Sequence, residues 1–158
     1  MAFYQLRRSQ VVPATPDRVW DVLSSPLNLR EITPPALGFE VLTPDLPDRI
    51  RPGLIVVYRV RPLLRIPVTW VAEITHVVPG ESFVDEQRAG PYALWHHEHR
   101  MTAVDGGVRI DDLVSYIPPL GLLGRIAHAL FLRRALERIF DYRREALDRL
   151  FAGPEAKA

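Results

Sequence analysis

The spacing of apolar side chains divides the sequence into three parts with different periodicities. In residues 4–12, β-forming side chains alternate with polar ones, which predicts a first strand that ends at Pro13. After Thr15, which can cap a helix, apolar side chains recur at the spacing of one helical face. Pro26 ends that helix, and a second short helix fits before Pro34. The first part is therefore a strand followed by two short helices.

In the second part, from residue 39 onward, apolar and polar side chains alternate in short runs separated by Pro, Gly and Asp. Alternation with a period of two places successive side chains on opposite faces of a strand, so it predicts an antiparallel sheet. The predicted strands cover residues 38–42, 54–61, 68–78, 82–88, 94–104 and 108–117. Asp105-Gly106-Gly107 suits a tight turn between the last two. With the first strand, the sheet has seven strands.

The third part, after Gly121 and Gly124, predicts one long helix, because apolar side chains recur every three or four residues. About 25 residues with a rise of 1.5 Å each give a helix of about 40 Å, long enough to cross a whole sheet. The apolar positions expected on its buried face include Ile126, Leu130, Leu136, Phe140, Leu147 and Leu150. Arginines that alternate with acidic side chains, Arg143 among them, predict a solvated opposite face.

The start of this helix, residues 120–132, is the most hydrophobic stretch of the chain. We expect most of it to cover a pocket as part of the core, with contact to a membrane or a partner protein as the alternative. Arg125 and His128 interrupt it, and it is too short to span a bilayer of about 30 Å. We expect a single domain over residues 1–152 and a flexible tail over residues 153–158.

The order of these elements predicts an α+β fold with a cavity. A curved antiparallel sheet of this size can wrap around one long apolar helix, leaving space between the helix and the concave face. We therefore expect the functional side chains to point into this space.

Composition restricts the class of protein. The chain has 158 residues, 47% of them hydrophobic and 25% charged, and a mean hydropathy of -0.01, as expected for one soluble globular domain. The formal net charge of +1 provides no large field to hold nucleic acid or an anionic membrane. The sequence has no cysteine, which excludes disulfides, thiolate metal sites and cysteine nucleophiles. Its first residues do not resemble a signal peptide, so we expect a cytoplasmic protein.

The strand predicted over residues 94–104 carries the main candidate chemistry. Its alternation places Trp95, His97 and His99 on one face, and the bulky indole indicates that this face is the inner one. A buried imidazole without hydrogen-bond partners costs about 1–3 kcal/mol, so partners are expected nearby. The same alternation turns Tyr58 and Trp70 inward. Periodicity alone does not decide which faces of the strands over 82–88 and 108–117 point inward.

The stretch FVDEQRAGPYALWHHEHRM, preceded by Ile32-Thr33-Pro34 and by IPVTW in mid-sheet, resembles the SRPBCC superfamily of START-like, helix-grip proteins. The resemblance is greatest to bacterial ligand-binding and polyketide cyclase/dehydrase-like members, and it extends from Val11 to Phe151. It implies the helix-grip fold, a deep cavity and ligand binding. It also places Phe83, Asp85, Gln87, Asp112 and Tyr116 on the concave side. The ligand-contact residues that this implies are Tyr58, Trp70, Asp85, Gln87, Trp95, His97, His99, Asp112 and Tyr116.

Three functions stay open at this point. The first is binding of a small or medium-sized hydrophobic or amphipathic molecule in the internal cavity. The second is a cyclase, dehydratase or isomerase in which His97 and His99 act as acid and base and Asp112 or Asp85 orients them. The third is an accessory domain for a partner enzyme, or a homodimer, with an exposed apolar patch on residues 120–132.

The alternative for the histidines is a satisfied internal network that shapes the pocket. Two histidines and a carboxylate are also an acceptable metal ligand set, but their spacing matches no known metal motif. We therefore expect neither a metal nor a cofactor.

Overall fold

A computed structural model of the chain describes residues 2–61 and 66–152. Its strands are β1 (Tyr4–Val12), β2 (Glu40–Val41), β3 (Leu54–Val60), β4 (Val68–Val78), β5 (Ser82–Ala89), β6 (Leu94–Val104) and β7 (Gly107–Ile117). Its α-helices are α1 (Pro16–Leu23), α2 (Gly121–Ala127) and α3 (Arg133–Phe151). Short 3₁₀ turns, Pro26–Arg30 and Pro35–Leu37, follow α1, and a π-helical turn, His128–Leu132, joins α2 to α3. The tail predicted over residues 153–158 lies outside the described residues.

The strands form a seven-stranded antiparallel sheet in the order β1-β7-β6-β5-β4-β3-β2. The predicted architecture is confirmed, and β1, β4 and β6 have the predicted bounds. The strand predicted over residues 38–42 is wrong in length, because β2 covers only Glu40–Val41, although the amide of Leu42 also donates to Val57 at 2.8 Å. Gly38 has a φ of 52° and closes the second 3₁₀ turn, so the extended backbone begins only after it.

The long helix lies across the concave face of the sheet. α2, the π turn and α3 form a run of 31 residues. At its carboxyl end, Leu147 and Phe151 pack on Val108 and Ile110 in the main core. Nearer its middle, Phe140 belongs to a second core cluster of buried side chains, together with Leu136, Trp95, Val114 and Tyr116. α3 therefore closes the sheet over both clusters.

The first half of this helix departs from the prediction. Leu122, Leu123 and Leu130 are 67%, 68% and 65% exposed, so the expectation that residues 120–132 cover a pocket as core is wrong. The buried line of the helix instead follows Gly124 and His128 toward the α3 stripe. The leucines stand one or two positions away from this line, which turns them outward. Within the described residues, no helix is both long and apolar enough to cross a bilayer.

Candidate functional site

Five polar side chains converge between the sheet and α3. Two pairs face each other across neighbouring strands, Asp85 of β5 with His97 of β6 and His99 of β6 with Asp112 of β7. Arg143 reaches the same point from α3. All but the half-buried Asp85 are buried. We refer to these five residues as the polar network.

Each imidazole bridges the two carboxylates. Nε2 of His97 lies 3.0 Å from Oδ1 of Asp112, and its Nδ1 lies 3.4 Å from Oδ2 of Asp85. Nε2 of His99 lies 2.8 Å from Oδ2 of Asp85, and its Nδ1 lies 3.0 Å from Oδ1 of Asp112. This arrangement supplies the partners that two inward histidines require.

Arg143 completes the network and was misplaced by the sequence prediction. It is 7% exposed, not solvated. Its Nε lies 3.5 Å from Oδ2 of Asp112, and its Nη2 lies 3.3 Å from Nδ1 of His99. A signal for this position was present in the sequence, because Arg143 falls between Phe140 and Leu147 on the apolar stripe of α3. A charge on such a stripe indicates a buried partner.

The pKa values of the two carboxyl groups are lowered. Burial alone raises the pKa of Asp112, but the charge of Arg143 and hydrogen bonds from His97 and His99 hold it well below its usual value. Burial also raises the pKa of Asp85, but His97, His99 and Arg143 lower it by more. Both carboxyl groups are therefore ionised at neutral pH.

The two histidines differ in the direction of their pKa shifts. Burial, together with the charge of His99, lowers the pKa of His97 despite the attraction of Asp85 and Asp112. Burial also disfavours the charged form of His99, but hydrogen bonds to Asp112 and Asp85 raise its pKa overall. Charged His99 donates from Nδ1 to Asp112, whereas neutral His99 accepts there from Arg143. With His99 charged and His97 neutral, two cations balance two carboxylates.

An aromatic wall continues the site beyond His97. We use this name for Tyr58, Trp70, Tyr92, Trp95 and Tyr116. The ring centroid of Trp70 lies 6.0 Å from that of Tyr58, 5.6 Å from that of Tyr92 and 5.1 Å from that of Trp95. Tyr92 was not among the predicted contacts, and it joins the wall through the turn between β5 and β6. Within the described residues, the buried Nε1 of Trp70 has no hydrogen-bond partner.

Gln87 holds the turn between β5 and β6. Its Nε2 donates to the carbonyl oxygen of Tyr92 at 2.7 Å, and its Oε1 accepts from the amide of Tyr92 at 3.2 Å. The side chain predicted as a ligand contact thus uses both ends of its amide on the backbone. By fixing this turn it positions Tyr92 against the aromatic wall.

Two clefts open beside the amino-terminal half of the long helix. One, of about 390 Å³, lies between β1 and the helix and is lined by Tyr4, Tyr116, His128 and Arg133 among others. Oη of Tyr116 lies 2.8 Å from Nε2 of His128, on the π turn. The other cleft, of about 260 Å³, lies beside Leu120. Tyr116 belongs both to the larger cleft and to the aromatic wall, so this cleft borders the interior.

Asp85, His97 and His99 also present three donor atoms within 4.8 Å of one another. Two imidazoles and a carboxylate are ligand types that Zn²⁺ accepts. However, Oδ2 of Asp85 and Nε2 of His99 are 2.8 Å apart, whereas two ligands at tetrahedral zinc distances are separated by about 3.3 Å. The geometry is that of a direct hydrogen bond, and a metal would have to displace it.

The sequence matches, over residues 4–152, the family described as polyketide cyclase/dehydrase and lipid transport. The chain belongs to this family. The predicted SRPBCC superfamily is thereby confirmed. A comparison with curated proteins found no match to this member of the polyketide cyclase/dehydrase and lipid transport family.

Solved structures share its fold at low sequence identity. Protein CV1439 from Chromobacterium violaceum has a TM-score of 0.69 and 19% identity, with 92% of this chain and 96% of that chain covered. Protein Ms6760 from Mycobacterium smegmatis has a TM-score of 0.67 and 20% identity, covering 94% and 90%. Ara h 8.0201 has a TM-score of 0.64 and 12% identity, covering 96% and 99%. These likenesses establish the helix-grip fold.

Proposed function

We propose that the protein, as one domain over residues 1–152, binds a small or medium-sized amphipathic molecule between the sheet and α3. The apolar part of the molecule packs on the aromatic wall, and an acceptor oxygen pairs with Nε1 of Trp70. The unpartnered indole nitrogen carries this proposal. A buried polar group without a partner costs about 1–3 kcal/mol, which a bound acceptor recovers.

The surroundings of Trp70 support a ligand of this kind. The ring of Tyr58 stacks on that of Trp70, and the ring of Trp95 meets it at 90°, edge to face. Aromatic side chains supply large apolar contact areas. The cleft of about 390 Å³ beside Tyr116 has the size of a small-molecule site, about 300–1,000 Å³. It gives such a molecule a route to the wall past the Tyr116–His128 hydrogen bond.

The experiment uses 2-tetralone, a neutral bicyclic ketone with one acceptor oxygen, as the probe. Trp70→Phe keeps the ring but removes the N–H, so we expect the Kd for 2-tetralone to rise about five- to tenfold, the value of one hydrogen bond. Trp20→Phe on α1 is the matched control, because Trp20 packs on the main core and outside the wall. Isothermal titration calorimetry measures both. Equal affinity of wild type and Trp70→Phe would contradict the proposal.

The second candidate function is proton transfer on the bound molecule, as in a cyclase, dehydratase or isomerase. The specific support is the position of His97, 6.1 Å from Trp95 between ring centroids, together with its lowered pKa. A neutral imidazole oriented by Asp112 can accept a proton near neutral pH. His97 is then the base, and the carboxylates of Asp112 and Asp85 balance the positive charge that develops on its ring.

The α-protons of 2-tetralone make this second function measurable. If His97 acts as a base, the protein accelerates exchange of these protons with deuterium oxide, and His97→Gln abolishes the acceleration without a matching loss of thermal stability. Proton NMR follows the exchange. If the wild-type protein does not accelerate exchange over buffer, the proton-transfer function is wrong and ligand binding is the remaining function.

The remaining predictions concern compartment and partners. The cytoplasm stays the proposed compartment, and a chain without cysteine allows a reducing environment. The accessory-domain and homodimer hypotheses depend on the exposed apolar residues of α2 and the π turn.

A further inference from the structure

Six large apolar side chains are exposed on and beside α2. Leu122, Ile126 and Leu130 are spaced by four, and Leu123 lies next to them, so they share one side of the helix. We refer to the exposed set as the α2 face, and its members are Leu120, Leu122, Leu123, Ile126, Leu130 and Phe131. A contiguous apolar surface on an otherwise folded chain marks an interaction site.

The charged side chains along the α2 segment are arginines, one of which, Arg133, is paired with Glu137 at 3.0 Å. Between Asp112 and Glu137 the sequence contains no acidic residue, whereas Arg125, Arg133 and Arg134 all lie there and are exposed. The formal net charge of +1 is a sum over the whole chain, so it does not show this local excess of arginine. The net charge alone predicts no field that attracts an anionic membrane, whereas a local excess of arginines supports one at this face.

The combination of leucines and arginines selects among the possible occupants. A symmetric dimer on this face would gather the same arginines from both copies, with no acidic side chain from residues 113–136 to pair with them. A helix with apolar side chains bordered by arginines has the pattern of helices that lie in the interface of an anionic bilayer. We propose that the α2 face docks on the surface of a bilayer that contains anionic lipid.

Docking in this orientation brings both clefts close to the lipid. The smaller cleft is lined by Leu120, Gly121 and Arg125, and the larger one by His128 and Arg133. An amphipathic molecule can then pass between the bilayer and the aromatic wall without crossing water. This last step rests on the proposed ligand binding, whereas docking itself does not.

The test is flotation of the full chain with phosphatidylcholine vesicles that contain or lack phosphatidylglycerol. We expect binding only when phosphatidylglycerol is present, and weaker binding at high salt. Leu123→Glu should reduce the partition coefficient at least tenfold, whereas Leu27→Glu, an exposed leucine on the first 3₁₀ turn, should not change it. Arg134→Gln should reduce it about fivefold, the contribution of one arginine near an anionic surface, and Arg51→Gln should have no effect.

Several results would overturn the proposal. These are no binding to either vesicle type, equal binding to both, or equal effects of Leu123→Glu and Leu27→Glu. A dimer in size-exclusion chromatography that Leu123→Glu dissociates, without vesicle binding, would assign the face to a second copy. Thermal melting shows that each variant is folded. The affinity of Leu123→Glu for 2-tetralone should equal that of wild type, which separates failure of docking from failure of ligand binding.

Discussion

The two halves of the C-terminal helix distribute polar and apolar side chains in opposite ways. In α3 a guanidinium, that of Arg143, is buried among apolar neighbours, whereas along α2 and the π turn Leu122, Leu123 and Leu130 face solvent. The helix continues from one half to the other, so what differs is the line of residues that faces the sheet. Position relative to that line, and not residue type, decides what is buried.

Within the part of the chain that the structure describes, the buried charge of α3 has partners inside the fold, whereas the exposed apolar side chains of α2 do not. Buried charges are tolerated only when they are paired, and Nε of Arg143 lies 3.5 Å from Oδ2 of Asp112. The α2 face has no comparable cover among the described residues, so its apolar surface is available to something outside the fold. We therefore expect the buried charge to affect the stability of the protein, and the exposed leucines to affect the proposed docking.

Removal of the buried charge is expected to have the largest effect on stability. Arg143→Met keeps the length of the side chain but removes one of the two cations that balance Asp112 and Asp85, which should lower the free energy of unfolding by about 3–5 kcal/mol. Arg144→Met, on the exposed side of the same turn, should change it by less than about 0.5 kcal/mol. Urea denaturation measures both. Similar losses in the two variants would show that the network does not stabilise the fold.

Truncation of leucines compares the two halves directly. Leu147 is 0% exposed, so Leu147→Ala should lower the free energy of unfolding by about 2–5 kcal/mol. Leu123→Ala, on the α2 face, should lower it by less than about 0.5 kcal/mol. The same urea titrations distinguish them. A loss of several kcal/mol for Leu123→Ala would mean that the α2 face is packed in solution.

The sheet could be predicted from the sequence because alternation is a local signal. In β6 the bulky Trp95 fixes which face is inner, and the faces of His97 and His99 follow from it. The pairs Asp85–His97 and His99–Asp112 could not be predicted, because they depend on the registers between strands. The inner face of β5 could not be assigned by alternation, because both of its faces mix apolar with polar side chains.

The helix was harder to predict because its phase is set by tertiary contacts. Leu130 and Leu136 both fit a helical repeat, yet only Leu136 faces the sheet. The buried line passes through Gly124 and His128, residues that a search for apolar positions overlooks. The aromatic wall was predicted except for Tyr92, whose position depends on the turn that Gln87 holds.

A substitution at Gly124 tests whether close contact with the preceding loop fixes the start of α2. A Cβ atom at this position would lie 1.8 Å from the carbonyl oxygen of Pro119, so Gly124→Ala must push the start of α2 away from the preceding loop. We expect a loss of about 1–3 kcal/mol in the free energy of unfolding. Arg125→Ala, on the exposed side, should have little effect. No loss in Gly124→Ala would show that α2 is only loosely held and that its exposed face has no fixed orientation.

The smallest expected effect is the dependence of stability on pH, because the two imidazoles act in opposite directions. Burial opposes charge on both histidines, but only for His99 do Asp112 and Asp85 outweigh it. With its pKa raised on folding, His99 stabilises the fold below about pH 6.5, the unfolded value, and this contribution is lost as pH rises through the folded pKa. With its pKa lowered, His97 destabilises the fold as pH falls below about 6.5.

Wild-type stability should therefore be greatest near neutral pH and decline on both sides. His99→Gln should abolish the decline on the alkaline side, and His97→Gln should abolish the decline just below neutrality. Both expectations concern the slope with pH, not the absolute free energy of unfolding. Urea titrations between about pH 5 and 9, which bracket the histidine range, give the slopes. Unchanged slopes in both variants would mean that the histidines keep the same protonation in the folded and unfolded chain. The charge balance inferred for the polar network, with His99 charged and His97 neutral, would then be wrong.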